Sequence, residues 1–204
     1  MDPLIAVDVA ILPPPAVARA AIGLSAALPA AESQGLRLDA THLPHITLTQ
    51  QFVTIDAVPA IAAVIGRVIA ECPPLHLTIT GPGRGSRSVW MQVGLSPALH
   101  ELHRALMDAL RPFEQSGGGP AAFAGGQARP GDVTWVTDFR ERSSYGRYVP
   151  HITLGHSSHP PPVEPQSFVA DVVALCHLGR FCTCRETLRS WTLTSPLTHS
   201  RPAP

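Results

Sequence analysis

The sequence predicts one large domain, or one domain of two lobes, that mixes strands and helices and carries an internal repeat, and three observations lead there. Strand-like and helix-like apolar segments alternate along both halves of the 204 residues. The pentapeptide Pro44-His45-Ile46-Thr47-Leu48 returns as Pro150-His151-Ile152-Thr153-Leu154, an offset of 106 residues or about half the chain. A hydrophobic content of 45% is enough to bury a sizeable core. A single domain over residues 1–204 is expected, with sequence halves near 1–95 and 96–204 and a glycine-rich loop over 115–131.

Residues 4–12 read as a strand, rich in Ile and Val and stopped by Pro13, Pro14 and Pro15, and residues 16–28 as a helix. Residues 45–53 form a second strand, and 57–71 an apolar amphipathic helix closed by Cys72, Pro73 and Pro74. Two strands, 75–80 and 88–95, are expected to make a hairpin through the turn-forming run Gly81-Pro82-Gly83-Arg84-Gly85. Ser96 is an N-cap with Pro97 at the first helical position, and Leu99, Leu102, Leu106 and Leu110 recur at helical spacing up to Pro112. Residues 115–131 carry glycine, proline and alanine with little to build a core, the composition of a loop or flap. Strands are expected at 133–139 and 149–156, then a proline-rich connection at 157–165 and a helix over 166–178. A last strand covers 189–194, with Cys182 and Cys184 on a short strand before it.

All 15 basic residues are arginine, against 15 acidic residues, and the chain has neither Lys nor Asn, the mark of coding bias in a GC-rich genome. A formal net charge of zero argues against non-specific binding to duplex DNA, which runs on many phosphate contacts, and leaves small or short phosphate ligands open. Asp2 and Asp8 bracket the apolar stretch near the start, unlike a signal peptide, and the longest apolar run, 58–70, is too short for a membrane and holds Arg67. A soluble, cytoplasmic monomer without a membrane partner is expected. The four cysteines, Cys72, Cys176, Cys182 and Cys184, are too few for a disulfide framework and read as reduced thiols. Cys176, Cys182, Cys184 and His177 lack the paired Cys-x-x-Cys spacing of a zinc knuckle and read as packing residues.

The repeated motif carries the chemistry. On a strand, residues i and i+2 share a face, so His45 and Thr47 point one way and Ile46 and Leu48 the other; His151 and Thr153 oppose Ile152 and Leu154 likewise. If the halves are related by duplication, packing them about a pseudo-twofold axis would set two imidazoles and two hydroxyls across one groove. An unperturbed imidazole near pKa 6.5 serves as acid or base at neutral pH, and threonine hydroxyls can donate to phosphate oxygens, so a phosphodiester could be cleaved without a metal or cofactor. Thr49 shares the alternating face, but its counterpart in the second copy is Gly155. Tyr148 and Trp90 could stack on a base or belong to the core. Arg147, Arg84 and Arg87 could meet phosphate or be solvated surface charges. His42 and His156, nearest the motifs, could line the groove, while His76, His100, His103, His159, His177 and His199 read as packing or surface residues.

Two His-x-Thr-hydrophobic motifs about a hundred residues apart, each preceded by proline, resemble the 2H phosphoesterase superfamily, especially its bacterial 2'-5' RNA ligase-like and 2',3'-cyclic phosphodiesterase branch. The strand from Ser88 to Val93 with the helix after it, Tyr148 before the second motif, and the first and last strands fit the same pattern. The resemblance implies a bilobal α+β, pseudo-twofold duplicated fold with antiparallel-rich sheets flanking a central groove. It implies His45 and His151 as the catalytic pair and Thr47 and Thr153 as the phosphate-binding hydroxyls. The implied activity is cofactor-free hydrolysis of 2',3'-cyclic phosphates on small nucleotides or short RNA ends, with 2'-5' RNA ligation as a companion. Cyclic oligonucleotides and ADP-ribose cyclic phosphate are alternative substrates of the same chemistry. The glycine-rich 115–131 stretch and the missing lysines depart from the pattern and leave nucleic-acid contacts to arginine and aromatic side chains. Two other classes stay open: a non-catalytic module for RNA ends or nucleotides, and a histidine-rich metal protein.

Overall fold

A computed structural model describes residues 3–194; Asp2 and His199 lie outside the described residues. In chain order the elements are β1 (Leu4–Leu12), α1 (Pro15–Ala27), β2 (Ile46–Thr54), α2 (Val58–Ile69), β3 (Leu75–Arg84), β4 (Ser88–Val93) and α3 (Pro97–Leu110). Then come α4 (Pro130–Arg142), β5 (His151–His156), β6 (Gln166–Ala170), β7 (Val172–Leu178) and β8 (Cys184–Thr192). The strands form two four-stranded sheets, ordered β2-β1-β7-β8 and β5-β4-β3-β6. Every pairing is antiparallel. The α+β architecture with antiparallel sheets expected from the sequence is thus present. Among the described residues no helix is long and apolar enough to cross a membrane.

Each sheet takes strands from both sequence halves; the chain leaves the first sheet between β2 and β3, across α2, and returns to it between β6 and β7 through the single residue Asp171. The Leu193 N–H donates to the Asp171 carbonyl at 2.6 Å and pins that crossing. In both sheets the motif strand lies at the edge and pairs with the strand that precedes it in the chain, β2 with β1 across one helix and β5 with β4 across two. The helices are exchanged between the sheets. Helix α1, which leads to β2, packs on β5, while α3 and α4, which lead to β5, pack on β2. The inward residues Ile46, Leu48, Ile152 and Leu154 are all buried in one continuous core cluster, so burial of apolar area couples the two motif strands.

Several elements differ from the sequence expectation. Residues 133–139, expected as a strand, lie inside α4: Pro130 starts the helix, the Asp132 carboxylate accepts the Arg129 N–H at 2.9 Å, and Val136 and Phe139 are buried three residues apart. The β-branched residues there suggested a period of two, but the buried positions follow the helical one. Residues 166–178, expected as a helix, are β6 and β7. Strand β7 runs between β1 and β8 and is buried over most of its length, so its apolar run shows no alternation and mimics a buried helix.

The expected turn at residues 81–85 is largely strand, because β3 continues to Arg84 and the turn moves to residues 85–87. Gly81, at φ +144°, absorbs a register shift, and β6 pairs with β3 only as far as Ile79, so Pro82 forfeits no ladder bond on that edge. The 115–131 loop does contribute core: Ala122 and Phe123 are buried, and Phe123 meets Phe52 edge-on with centroids 5.8 Å apart. Cys184 opens the single strand β8, with Cys182 in the turn before it, and all four cysteines are free thiols.

Candidate active site

The two motif strands share a distortion as well as a sequence. In the β1–β2 pair the register shifts so that Thr47 opposes Ala10 and Thr49 opposes Val9, leaving Leu48 unopposed. In the β4–β5 pair Thr153 opposes Trp90 and Gly155 opposes Val89, leaving Leu154 unopposed. These β-bulges fall at the same place in the repeat and switch the alternation of side chains. Strict alternation would set Thr49 beside His45 and Thr47; instead Thr49 is buried at 1% exposure and Gln50 turns into the groove. The groove faces are therefore His45-Thr47-Gln50 and His151-Thr153-His156. The carbonyl of the bulged Leu48 accepts from His103 Nδ1 at 2.7 Å, so the kink leaves that acceptor satisfied.

Each motif imidazole is held by the backbone two residues earlier. His45 Nδ1 lies 2.8 Å from the Leu43 carbonyl and His151 Nδ1 lies 2.8 Å from the Val149 carbonyl, the same contact in both copies. A carbonyl only accepts, so Nδ1 carries the hydrogen and the Nε2 lone pair is free in the uncharged ring. Burial lowers the pKa of His45 to about 4, an effect opposed by the Leu43 bond and reinforced by the neighbouring His151. Burial also lowers that of His151, against its bond to Val149. Both rings rest uncharged at neutral pH.

The half-sites differ in what stands behind the histidine. Asp8, fully buried in β1, accepts from Thr47 Oγ1 at 2.8 Å and Gln50 Nε2 at 2.7 Å through Oδ2, which lies 3.7 Å from His45 Nε2. Its Oδ1 has no hydrogen-bond partner, and burial pushes its pKa up to about 8 in spite of the Gln50 and Thr47 bonds. Ligand atoms of Asp8, His45 and Cys184 lie within 4.8 Å of one another, a donor set able to hold a metal ion. In the second half-site Ser88 occupies the register position of Asp8, opposite His156 as Asp8 is opposite Gln50. Trp90 lies against His151 there, with ring centroids 4.9 Å apart. The Thr47 hydroxyl is engaged by Asp8, whereas that of Thr153 has no protein partner among the described residues.

Trp90 and Tyr148 both line the groove but are held differently. Trp90 donates from Nε1 to Gln92 Oε1 at 2.9 Å, and Gln92 Nε2 donates to the Pro150 carbonyl at 2.9 Å, tying the indole to the residue before His151. The indole lies so close on β3 that a Cβ at Gly83 would come within 2.0 Å of Nε1. Tyr148 is buried, one ring face stacked on His103 at 3.9 Å, and its hydroxyl donates to the Thr47 carbonyl at 2.8 Å. It ties the approach to the second motif to the strand of the first.

The groove has a volume of about 940 Å³, the scale of a nucleotide-sized ligand. Of the arginines singled out from sequence, Arg147 lines it, while Arg84 and Arg87 do not. Arg129, Arg142 and Phe181 also line it, with the Arg129 guanidinium 4.0 Å over the Phe181 ring. His156 reaches the groove; His42 instead bonds Asp39 and Arg185 outside it, and His177 turns to the Ala122 carbonyl. Sequence reasoning missed Asp8, Gln50, Arg129 and Phe181. Only Asp8 carried a local signal, as the one charge in an otherwise apolar strand.

The family described as the 2'-5' RNA ligase superfamily matches residues 13–176. No curated protein matches the chain. Among solved structures, the chain is similar to LigT of E. coli complexed with NADP+, at 22% identity over 95% of this chain and 100% of that one, with a TM-score of 0.62. It is also similar to E. coli LigT complexed with 3'-AMP, at 23% identity over 95% and 100%, TM-score 0.61. A Thermus thermophilus protein, TT0787, matches at 14% identity over 94% and 99%, TM-score 0.60. At these identities the structural likeness speaks to the fold.

Proposed function

The chain belongs to the 2'-5' RNA ligase superfamily, and from that membership we propose that it hydrolyses nucleoside 2',3'-cyclic phosphates, on small nucleotides or short RNA ends, with His45 and His151 as its acid and base. The observation that carries this reading is the matched pair of imidazoles, each fixed through Nδ1 and each lining one groove beside its threonine. A bound phosphodiester anion favours the imidazolium, so one ring carries a proton in the complex and the other keeps its lone pair. The unprotonated Nε2 takes a proton from water as the water oxygen bonds to phosphorus. The bond from phosphorus to one ribose oxygen breaks, and the protonated imidazole delivers its proton to that oxygen. The product is a phosphate monoester with the adjacent hydroxyl restored.

The free Thr153 hydroxyl is suited to donate to a non-bridging oxygen, while Thr47, tethered to Asp8, chiefly orders its own wall. Trp90 offers a face for a base beside His151. Relatives of this fold complexed with 3'-AMP and ATP support a nucleotide-sized ligand. With a 5'-hydroxyl in place of water as the nucleophile, the same pair would open the cyclic phosphate by breaking its bond to the 3' oxygen, which takes the proton from the acid, and leave a 2'-5' linkage. The test is a panel of the four nucleoside 2',3'-cyclic phosphates with the wild-type, His45→Ala and His151→Ala proteins. Turnover by the wild type and a loss of about a hundred to ten-thousand-fold in each variant is expected. Equal hydrolysis by all three proteins, or none by any, refutes the proposal.

A further inference from the structure

We propose that Asp8, His45 and Cys184 form an inhibitory zinc site set into the wall of the groove. A carboxyl, an imidazole and a thiol are the three donor types of protein zinc sites, and a thiolate with an imidazole disfavours magnesium and calcium. The spacing fits. For three atoms separated by no more than 4.8 Å, the point between them lies no more than about 2.8 Å from each, and zinc bonds of about 2.0–2.3 Å need only a small inward shift.

The surroundings fit as well. Asp8 is 0% exposed; its Oδ2, 3.7 Å from His45 Nε2, is held by Thr47 and Gln50, as in a ligating carboxylate oriented by outer hydrogen bonds, and its Oδ1 has no partner. His45 gives its Nδ1 hydrogen to the Leu43 carbonyl, the arrangement that leaves Nε2 as the metal ligand. The Leu43 N–H in turn donates to the Cys184 carbonyl at 3.0 Å, so two of the three ligands are joined through one backbone bridge. Entry is from the groove, where His45, Thr47 and Cys182 form the wall. Zinc displaces one proton from the thiol and one from the carboxyl, and the ion's two charges are offset by the thiolate and carboxylate left behind.

The site differs from the Cys176, Cys182, Cys184 and His177 grouping weighed from sequence, because His177 turns away to Ala122. Its inhibitory effect rests on the proposed role of His45: a metal on Nε2 removes the lone pair or proton that the reaction needs.

Binding and inhibition are read separately. Purified protein is given one equivalent of zinc, dialysed and assayed for bound metal; cobalt(II) replaces zinc in a parallel sample for absorption spectroscopy. About one metal per chain is expected in the wild type and in the Cys72→Ser control, with loss in Asp8→Asn and Cys184→Ser. The cobalt protein should show a thiolate charge-transfer band. Zinc should lower turnover at least about ten-fold, reversibly with EDTA, while Cys184→Ser keeps its turnover in zinc. A wild-type protein that binds no zinc, or a cobalt complex without the thiolate band, overturns the site whether or not the variants fold. Binding without inhibition, or activation by zinc, overturns the inhibitory role. Absence of turnover on every cyclic phosphate strikes the proposed activity and leaves the metal site standing on the binding data.

Discussion

Replacing Tyr148 with phenylalanine isolates the hydrogen bond by which the segment entering the second motif grips the first. The ring, stacked on His103 at 3.9 Å, is retained, and only the hydroxyl bond to the Thr47 carbonyl at 2.8 Å is lost. A lost bond with its acceptor left in a nearly dry site costs about 1–3 kcal/mol. For a domain of this size each kcal/mol moves the melting midpoint by about 2–4 °C, so a loss near 2 kcal/mol lowers it by about 6 °C. The same bond ties the segment that enters His151 to the backbone of Thr47, and misplacing groups by about 1 Å can cost on the order of a hundred-fold in rate. Thermal unfolding by circular dichroism, with turnover of a cyclic phosphate measured well below both midpoints, reads the two effects. An unchanged midpoint refutes the bond's contribution. A lowered midpoint with unchanged turnover means the tie holds the fold but does not align the groove.

Three further outcomes are expected. Gly83→Ala places a methyl where the Trp90 indole lies, so the ring must leave both Gln92 and His151. A changed indole emission with at least about a three-fold rise in KM is expected, and unaltered emission and KM would show that the indole has room to spare. His103, buried and accepting the Tyr145 N–H at Nε2, has its pKa lowered to about 4 by burial. Its folded pKa lies below the unfolded value, so stability is complete above about pH 6.5 and about 3 kcal/mol is lost as pH falls toward 4. Urea unfolding of wild type and His103→Gln across that window should give a steeper acid loss in the wild type; equal slopes refute the assignment. Asp132→Ala removes the acceptor of the Arg129 and Phe181 N–H groups at 2.9 and 3.0 Å and should cost about 2–4 kcal/mol in the same assay. A cost below about 0.5 kcal/mol would mean that water replaces the carboxylate.

The features legible in sequence were those with a local cause. Ser96 caps α3 because its hydroxyl accepts the Leu99 N–H at 3.2 Å, and the leucine spacing after it needs no partner to be recognised. The motif strands were legible for the same reason, since their inward Ile and Leu and outward His and Thr alternate. What was hidden depended on contacts between distant segments. The valines of 133–139 and 172–178 have similar local preferences, yet the first run is helix capped by Asp132 and the second is a buried strand between β1 and β8. Gln50 enters the groove only because a bulge at Leu48 switches the alternation. Asp8 meets Thr47, Gln50 and His45 only through the pairing of β1 with β2.

The central claim is that His45 and His151 act as one acid-base unit on a shared ligand. Single-turnover hydrolysis of a nucleoside 2',3'-cyclic phosphate by the wild type, the two single alanine variants and the double variant tests it most directly. Each single variant should lose about a hundred to ten-thousand-fold, and the double variant should be no more than about ten-fold slower than the worse single, because a pair broken once has little left to lose. Losses that multiply, or a single variant that turns over at the wild-type rate, would contradict it.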